Sequence, residues 1–364
     1  MIVFAWKGFP QYAARCVGAF ARDTAERICV IATRPKVPID GMGELCGCPL
    51  LWIDDDACLD DILGWLGTEK VTTLVVSGWA VPAFNRLTAH VRQDHGRIIC
   101  MIDNNLDVDG IRKRFTEMIK GLRFRIGFRG KFDGFLVPGR SGRRLLRFYG
   151  VPENRIAEGM YAADGMLFHD GPPLRERPKK ILYVGQFIER KNVRRLVQAF
   201  VKSAEILSGW TLELYGSGPL REWLQDFAAA NNPRLAMRDS HISIYGFLQP
   251  EELAEKYRNV RIFCLPSLSE HWGLVVHEAA LSGCVLLLGK DVGAAEDMLQ
   301  PGSNGWTFDP MDLQSLESAF GLAMQMPDER LNEAQSVSLQ MARHASVDKF
   351  VAGVGQFLRC HGNG

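Results

Sequence analysis

The sequence runs to 364 residues, 47% hydrophobic and 23% charged, with 43 Lys and Arg set against 42 Asp and Glu. That composition is ordinary for a soluble globular protein, and the length predicts two domains rather than one core. No run of about eighteen apolar residues is present to cross a bilayer, and the start, Met1-Ile-Val-Phe-Ala-Trp-Lys7, lacks the basic and long apolar regions of a secretory leader. Of the nine cysteines, Cys29, Cys100, Cys264 and Cys284 lie inside apolar runs, and Cys46 and Cys48 have no second pair at zinc spacing. A cytoplasmic protein with reduced thiols and no structural metal is expected.

From the N-terminus, short apolar runs alternate with helical patterns. Residues 2–5, 28–32, 50–53, 72–76, 98–102 and 135–137 read as strands, and 12–22, 58–66, 81–91, 111–122 and 141–149 as the helices between them. Continuously apolar strands separated by helices imply a parallel sheet covered on both faces. Asp54-Asp55-Asp56, after the third strand, has the form of a metal-holding Asp-x-Asp but reads better as a solvated strand end. Lys7, Gly8 and Tyr12 after the first strand, and Asp103 after the fifth, are candidates for the acceptor side of a cleft, and are equally compatible with turns. Between Arg112 and Arg147 twelve Lys and Arg face only Glu117 and Asp133, so residues 1–150 carry +6 and the remainder −5. Such a stretch suits an anionic membrane surface or an acidic acceptor, or is a solvated helix face; no nucleic-acid motif accompanies it.

A polar, Pro-rich interval, 169–178, reads as a linker. The alternation then restarts, with strands at 181–184, 212–215, 242–245, 261–265 and 285–288. The helix after the first of these has an apolar stripe at Val193, Leu196, Val197, Phe200, Val201 and Ala204, with Asn192 as its N-cap. The expected organisation is an N-terminal domain over 1–168, a linker over 169–179, a C-terminal domain over 180–345, and a last helix in 346–364 packing back on the N-terminal domain. The fold class is α/β, two doubly wound Rossmann-like domains facing each other across a cleft, with ligands beyond the carboxyl ends of the strands.

The stretch Pro266 to Gly283 is the most informative. An apolar strand leads into a loop bearing Glu270, and then into a helix apolar almost all round that nevertheless carries His277 and Glu278. A buried carboxylate is costly unless paired. Two acids flanking the helix-start amides of Trp272, Gly273 and Leu274 suit a polyhydroxyl ligand with an anionic group. Three more strand-end loops belong with it. Gly185-Gln186-Phe-Ile-Glu-Arg190-Lys191-Asn192 places a lysine just before a helix, where cation and free amides together hold a diphosphate. Gly216-Ser-Gly-Pro219 is a tight strand-to-helix turn. Tyr245-Gly-Phe247-Leu248 offers backbone to a base. Gly293-Ala-Ala-Glu296 and Asn304-Gly305 add a loop and a turn. Each has a plain structural reading, and His277 reads as a satisfied core histidine.

In order and spacing these segments resemble the donor half of GT-B glycosyltransferases, and more narrowly the large retaining "glycosyltransferase group 1" family with its Glu-x7-Glu motif. The likeness is close over about 178–330 and looser over 1–165, where Val137-Pro-Gly-Arg-Ser-Gly142 and Tyr161-Ala-Ala-Asp164 are similar to bacterial members. It implies that Glu278 bonds the ribose hydroxyls of a nucleotide and that Glu270 sits by the transferred sugar. It also implies that the amides of His271, Trp272, Gly273 and Leu274 contact sugar and diphosphate, and that Lys191 neutralises the leaving diphosphate. Gln186 departs from the pattern, since an arginine is usual after Gly185; a charge-assisted bond is worth ~1.5–3 kcal/mol, so Arg190 is the candidate substitute. His271 has either a catalytic or a packing role. The implied reaction is metal- and cofactor-free, retaining transfer from a nucleotide-sugar co-substrate to a glycan or lipid-linked acceptor, in bacterial surface polysaccharide synthesis, by a cytoplasmic enzyme peripheral to the inner face of the membrane. A GT-B sugar epimerase or other nucleotide-sugar enzyme, or a non-catalytic two-domain sugar-binding protein, remain the alternatives.

Overall fold

The computed structural model describes residues 1–35, 41–106, 111–203 and 208–359, apart from the side chains of 111, 112 and 129. Ala204 of the expected stripe therefore lies outside the described residues, as do the side chains of Arg112 and Arg129. The chain forms two compact units, Met1–Ala162 with Ala345–Gly364, and Ala163–His344.

In the first unit the order is β1 (Ile2–Trp6), α1 (Gln11–Asp23), β2 (Ile28–Thr33), α2 (Met42–Cys46), β3 (Leu50–Ile53), α3 (Leu59–Leu66), β4 (Thr73–Ser77), α4 (Pro82–Gln93), β5 (Arg97–Met101), α5 (Ile111–Gly127), β6 (Gly134–Val137), α6 (Arg140–Phe148) and β7 (Ile156–Glu158). The sheet order is β3-β2-β1-β4-β5-β6-β7, every pair parallel. The strand period of two sorts the apolar residues into two cores. Val3, Ala5, Cys29 and Ile31 face one side with Leu74 and Phe84. Ile2, Phe4, Trp6 and Val30 face the other, where Phe350, Val354 and Phe357 also pack. The approach of that last segment is close: a Cβ on Gly134 would stand 2.5 Å from the Phe357 ring.

The second unit runs β8 (Lys180–Val184), α7 (Val193–Ser203), β9 (Thr211–Tyr215), α8 (Arg221–Ala236), β10 (His241–Tyr245), α9 (Pro250–Arg258), β11 (Ile262–Leu265), α10 (Leu274–Leu281), β12 (Val285–Gly289), α11 (Ala295–Met298), β13 (Gly305–Phe308), α12 (Leu313–Met324) and α13 (Asp328–Ala342). A final helix, α14 (Val347–Arg359), belongs to the first unit. The second sheet is also parallel, in the order β10-β9-β8-β11-β12-β13.

Three local expectations change. Residues 169–178 do not form a free linker: Leu174 is buried with its N–H on Gln335 Oε1 at 2.8 Å, and the Arg177 side chain is enclosed, bonding the carbonyls of Pro172, Tyr257 and Val260. The chain passes between the units at Ala162 and Ala163 instead. Asn192 adopts a left-handed conformation and its amide donates to the Pro310 carbonyl, so its side chain does not cap α7. Gly305 opens a strand rather than a turn, lying so close to Leu286 that a Cβ would stand 1.8 Å from that carbonyl. The edge strands β7 and β13, three and four residues long, escape a reading based on apolar runs.

Candidate functional site

In an open parallel sheet, ligands lie beyond the strand carboxyl ends where the order reverses. In the second unit that point falls between β8 and β11, neighbours in the sheet but distant in sequence. The loops that leave these two strands are the ones bearing Lys191 and Glu270. Leu268 N–H donates to the Arg190 carbonyl at 2.9 Å, closing one loop on the other. The Lys191 ammonium is ion-paired with Glu270 Oε2, and Arg190 Nη1 lies 3.5 Å from the same oxygen while donating to the Ser269 carbonyl at 2.6 Å. Lys191 and Glu270 are largely enclosed, their side chains 11% and 14% exposed, whereas Arg190 is half exposed.

Backbone bonds continue this rim in both directions. Toward the β9 edge, Phe187 N–H donates to Ser217 O at 2.8 Å and Leu220 N–H to Phe187 O at 3.0 Å. The two loops approach so closely that a Cβ on Gly216, at φ 156°, would stand 1.9 Å from the Gly185 carbonyl oxygen. Only glycine fits there. Arg221 Nη1 reaches the carbonyl of Tyr245 at 3.1 Å, tying in the segment that carries Phe247, which is 49% exposed, and Leu248. Toward β12, Glu270 N–H donates to Asp291 O at 3.1 Å, Gly293 N–H to Glu270 O at 3.0 Å, and Ala294 N–H to Trp272 O at 2.9 Å. The structure thus brings Gly185, Gln186, Arg190, Lys191, Gly216, Glu270 and Trp272 onto one laced edge. Gln186 is exposed, and its carbonyl accepts from the Tyr183 hydroxyl at 2.8 Å.

Gly273 starts α10 with φ 94°, its position facing Glu270 Cγ at 3.2 Å, and Leu274 follows as the first helical residue. His271 is exposed, and the Trp272 ring is buried edge-on to the His277 imidazole with centroids 5.9 Å apart. About one turn into the helix the sequence buries two adjacent polar groups, and the structure supplies their partners. His277 Nδ1 accepts from Ala163 N–H and its Nε2 meets the Ala342 carbonyl, each at 3.0 Å. Glu278 Oε2 accepts from the Tyr257 hydroxyl at 3.0 Å. Burial pushes the Glu278 carboxyl up to about 7, and the Tyr257 bond pulls against that rise. Tyr257, supplied by α9, was not among the sequence candidates; its only signal was an aromatic with a polar tip on a helix facing the acid.

In the first unit, Tyr161 joins two of the acceptor-side candidates. Its hydroxyl donates to Asp103 Oδ2 at 2.9 Å, and its ring meets Tyr12 edge-on at 5.2 Å. Burial holds both phenols well above the ordinary tyrosine range. Lys7 N–H bonds Ser77 Oγ and Gly8 N–H bonds Thr33 Oγ1, so the loop after β1 is fixed by side chains from neighbouring strands. Beyond the ends of β4 and β5 lies a cavity of about 330 Å³ walled by Trp79, Asn104, Asn105, Phe124, Phe128 and Tyr149. The basic stretch is not one surface. Arg143 pairs with Glu153 and Glu158, Arg147 with Glu153, and Lys120 with Glu117. Asp54, Asp55 and Asp56 are exposed at the end of β3. Among the described residues no group of three or more His, Cys, Asp or Glu could hold a metal ion, and no helix is long and apolar enough to cross a membrane.

Comparison with known proteins bears on the unit that carries this rim. The family model for glycosyl transferases group 1 matches residues 167–336. A glycogen synthase of Mycobacterium tuberculosis is 30% identical over 145 residues, 40% of this chain and 34% of that protein. An uncharacterised glycosyltransferase of Methanocaldococcus jannaschii is 28% identical over 131 residues, 36% and 32% of the two chains. The chain thus spans about a third of the length of these curated relatives. Over the whole fold, Anabaena HepE, solved with UDP and glucose, superposes with a TM-score of 0.73 at 12% identity, covering 99% of each chain. Sucrose-phosphate synthase from Thermosynechococcus elongatus does so at 0.72 and 15%, covering 99% and 98%. Residues 167–336, most of the second unit, thus match the glycosyl transferases group 1 family, in a molecule whose two sheets have the GT-B fold.

Proposed function

We propose that this protein is a retaining, metal-independent glycosyltransferase. It takes a sugar from a nucleotide-sugar donor held on the second unit and delivers it to a glycan or lipid-linked acceptor in bacterial surface polysaccharide synthesis, working in the cytoplasm at the inner face of the membrane. The observation that carries the reading is the enclosed Lys191–Glu270 pair at the strand-order reversal, one loop away from the buried acid Glu278. A donor diphosphate brings negative charge to Lys191 and Arg190, which then stabilise it as it departs. Glu270, released from the lysine, accepts from sugar hydroxyls, and Glu278 accepts from ribose. Phe247 and Leu248 flank the base. The bond from anomeric carbon to phosphate oxygen breaks, the acceptor oxygen bonds that carbon from the same face, and its proton passes to the leaving phosphate.

The test is binding and turnover together. A nucleoside diphosphate should raise the melting temperature, because a ligand that binds only the folded state stabilises it. Glu278→Ala should keep the fold and lose transfer; a fully active Glu278→Ala enzyme ends the proposal. Products formed from donor without acceptor separate transfer from epimerisation.

A further inference from the structure

Helix α5 has two apolar sides, and among the described residues only one is packed against the fold. Phe124 packs inward against Phe135 and Tyr149, and Glu117 is buried beneath the Tyr149 hydroxyl, which donates to it at 2.8 Å. Phe115, Met118, Ile119, Leu122 and Ile126 lie elsewhere, 45% to 80% exposed. Their positions, i, i+3, i+4, i+7 and i+11, gather into an arc of roughly 100° around the helix. Five large apolar side chains on one exposed arc form a contiguous patch of a kind that soluble surfaces rarely leave without a partner.

The flanks of the arc say what that partner is. At helical spacing Arg114 and Arg125 border it on one side and Arg123 on the other, and all three are exposed. Arg125 is anchored by its Nε bond to the Tyr149 carbonyl at 2.8 Å. An apolar stripe edged by guanidinium groups on both sides matches an anionic bilayer: the stripe meets the acyl chains and the arginines meet lipid phosphates. A second copy of the chain fits worse, since two such helices face to face set arginines against arginines along both rims. We propose that α5 lies in the plane of an anionic lipid bilayer with Phe115, Met118, Ile119, Leu122 and Ile126 inserted. This deepens the proposed function on its acceptor side, since it brings the first unit to where lipid-linked acceptors reside, but it is carried by the helix and not by the donor site.

The full chain is incubated with vesicles of phosphatidylcholine alone, or of phosphatidylcholine with phosphatidylglycerol, and bound protein is measured by sedimentation. The wild type should partition onto the anionic vesicles, more weakly in about 1 M salt, where screening falls to roughly 3 Å. The pair Leu122→Gln and Ile126→Gln should lower partition roughly a hundredfold, about tenfold for each buried side chain lost. The pair Arg114→Gln and Arg123→Gln should erase the preference for anionic lipid. All four sites are exposed, and melting temperature together with nucleoside diphosphate binding is read on the same preparations. Partition without nucleotide binding leaves the docking standing and removes the donor assignment. Nucleotide binding without partition overturns the docking alone. Equal partition of wild type and the glutamine pair also overturns it, as does a wild-type dimer that the glutamine pair converts to monomer.

Discussion

The Tyr257 hydroxyl donates to Glu278 Oε2 at 3.0 Å from a ring that is completely buried, and the same hydroxyl lies 3.3 Å from the Val275 carbonyl. A lone carboxylate in such surroundings is strongly disfavoured as an anion; the phenol compensates in part and fixes which oxygen stays available. Tyr257→Phe removes that donor. The expected result is a folded protein whose nucleoside diphosphate affinity falls about tenfold at neutral pH, the worth of one hydrogen bond to a charged group. Calorimetric titration checks it, and unchanged affinity shows that the phenol does not position Glu278.

The carboxyl of Glu278 also makes stability and binding depend on pH. Its folded value of about 7 stands above the ordinary 4.5, so the folded protein holds a proton that the unfolded chain releases. The contribution of this group to stability is therefore fully present below about 4.5 and is lost as pH rises through about 7. The difference is on the order of 3 kcal/mol. Ribose hydroxyls donating to Glu278 favour its anion, so donor binding near pH 7 should release a proton and strengthen as pH rises. Binding heats measured in buffers of different ionisation enthalpy reveal that proton, and Glu278→Gln should abolish the buffer dependence.

At the diphosphate end, the ion pair of Lys191 with Glu270 sets a different expectation. Lys191→Met removes the enclosed cation paired with Glu270 and leaves the half-exposed Arg190 beside that acid. Transfer should fall about a hundredfold to a thousandfold, the range for losing one preorganised electrostatic contact. Arg190→Met should cost less, about tenfold in donor affinity. A Glu270→Gln change should not mimic either, since it frees Lys191 rather than removing it. Equal activity of Lys191→Met and wild type would contradict the assigned role.

Much of this architecture was legible from the residues. The central strands, buried on both faces, read as continuous apolar runs such as Ile262–Leu265 and Val285–Gly289. The loops after them carried the glycines and charges that the rim gathers. What was not legible depended on tertiary partners. Nothing local marks Tyr257 as the donor to Glu278, or Tyr161 as the bridge toward Asp103. The Pro-rich interval looked solvated because its anchors, Gln335 and the carbonyls around Arg177, come from far along the chain. In α5, the charge count said nothing of which apolar residues face inward; Phe124 packs inward and Glu117 is buried with Tyr149, whereas Phe115, Met118, Ile119, Leu122 and Ile126 stay exposed. Charge counting over 112–147 likewise missed that Arg143 and Arg147 are spent on Glu153 and Glu158.

His277 ties the two ends of the second unit to the helix that bears Glu278. The unit begins at Ala163 and ends at His344, and the imidazole takes the N–H of Ala163 while bonding the carbonyl of Ala342. The two contacts require the tautomer protonated on Nε2. His277→Leu keeps the bulk against Trp272 but leaves a buried donor and a buried acceptor unsatisfied, at about 1–3 kcal/mol each. The second unit should therefore melt several degrees lower, with the nucleotide site retained in the protein that stays folded. His277→Gln, which keeps one acceptor and one donor, should recover part of the loss. If the leucine variant melts with the wild type, the imidazole is a packing group and the ends of the unit are held by other contacts.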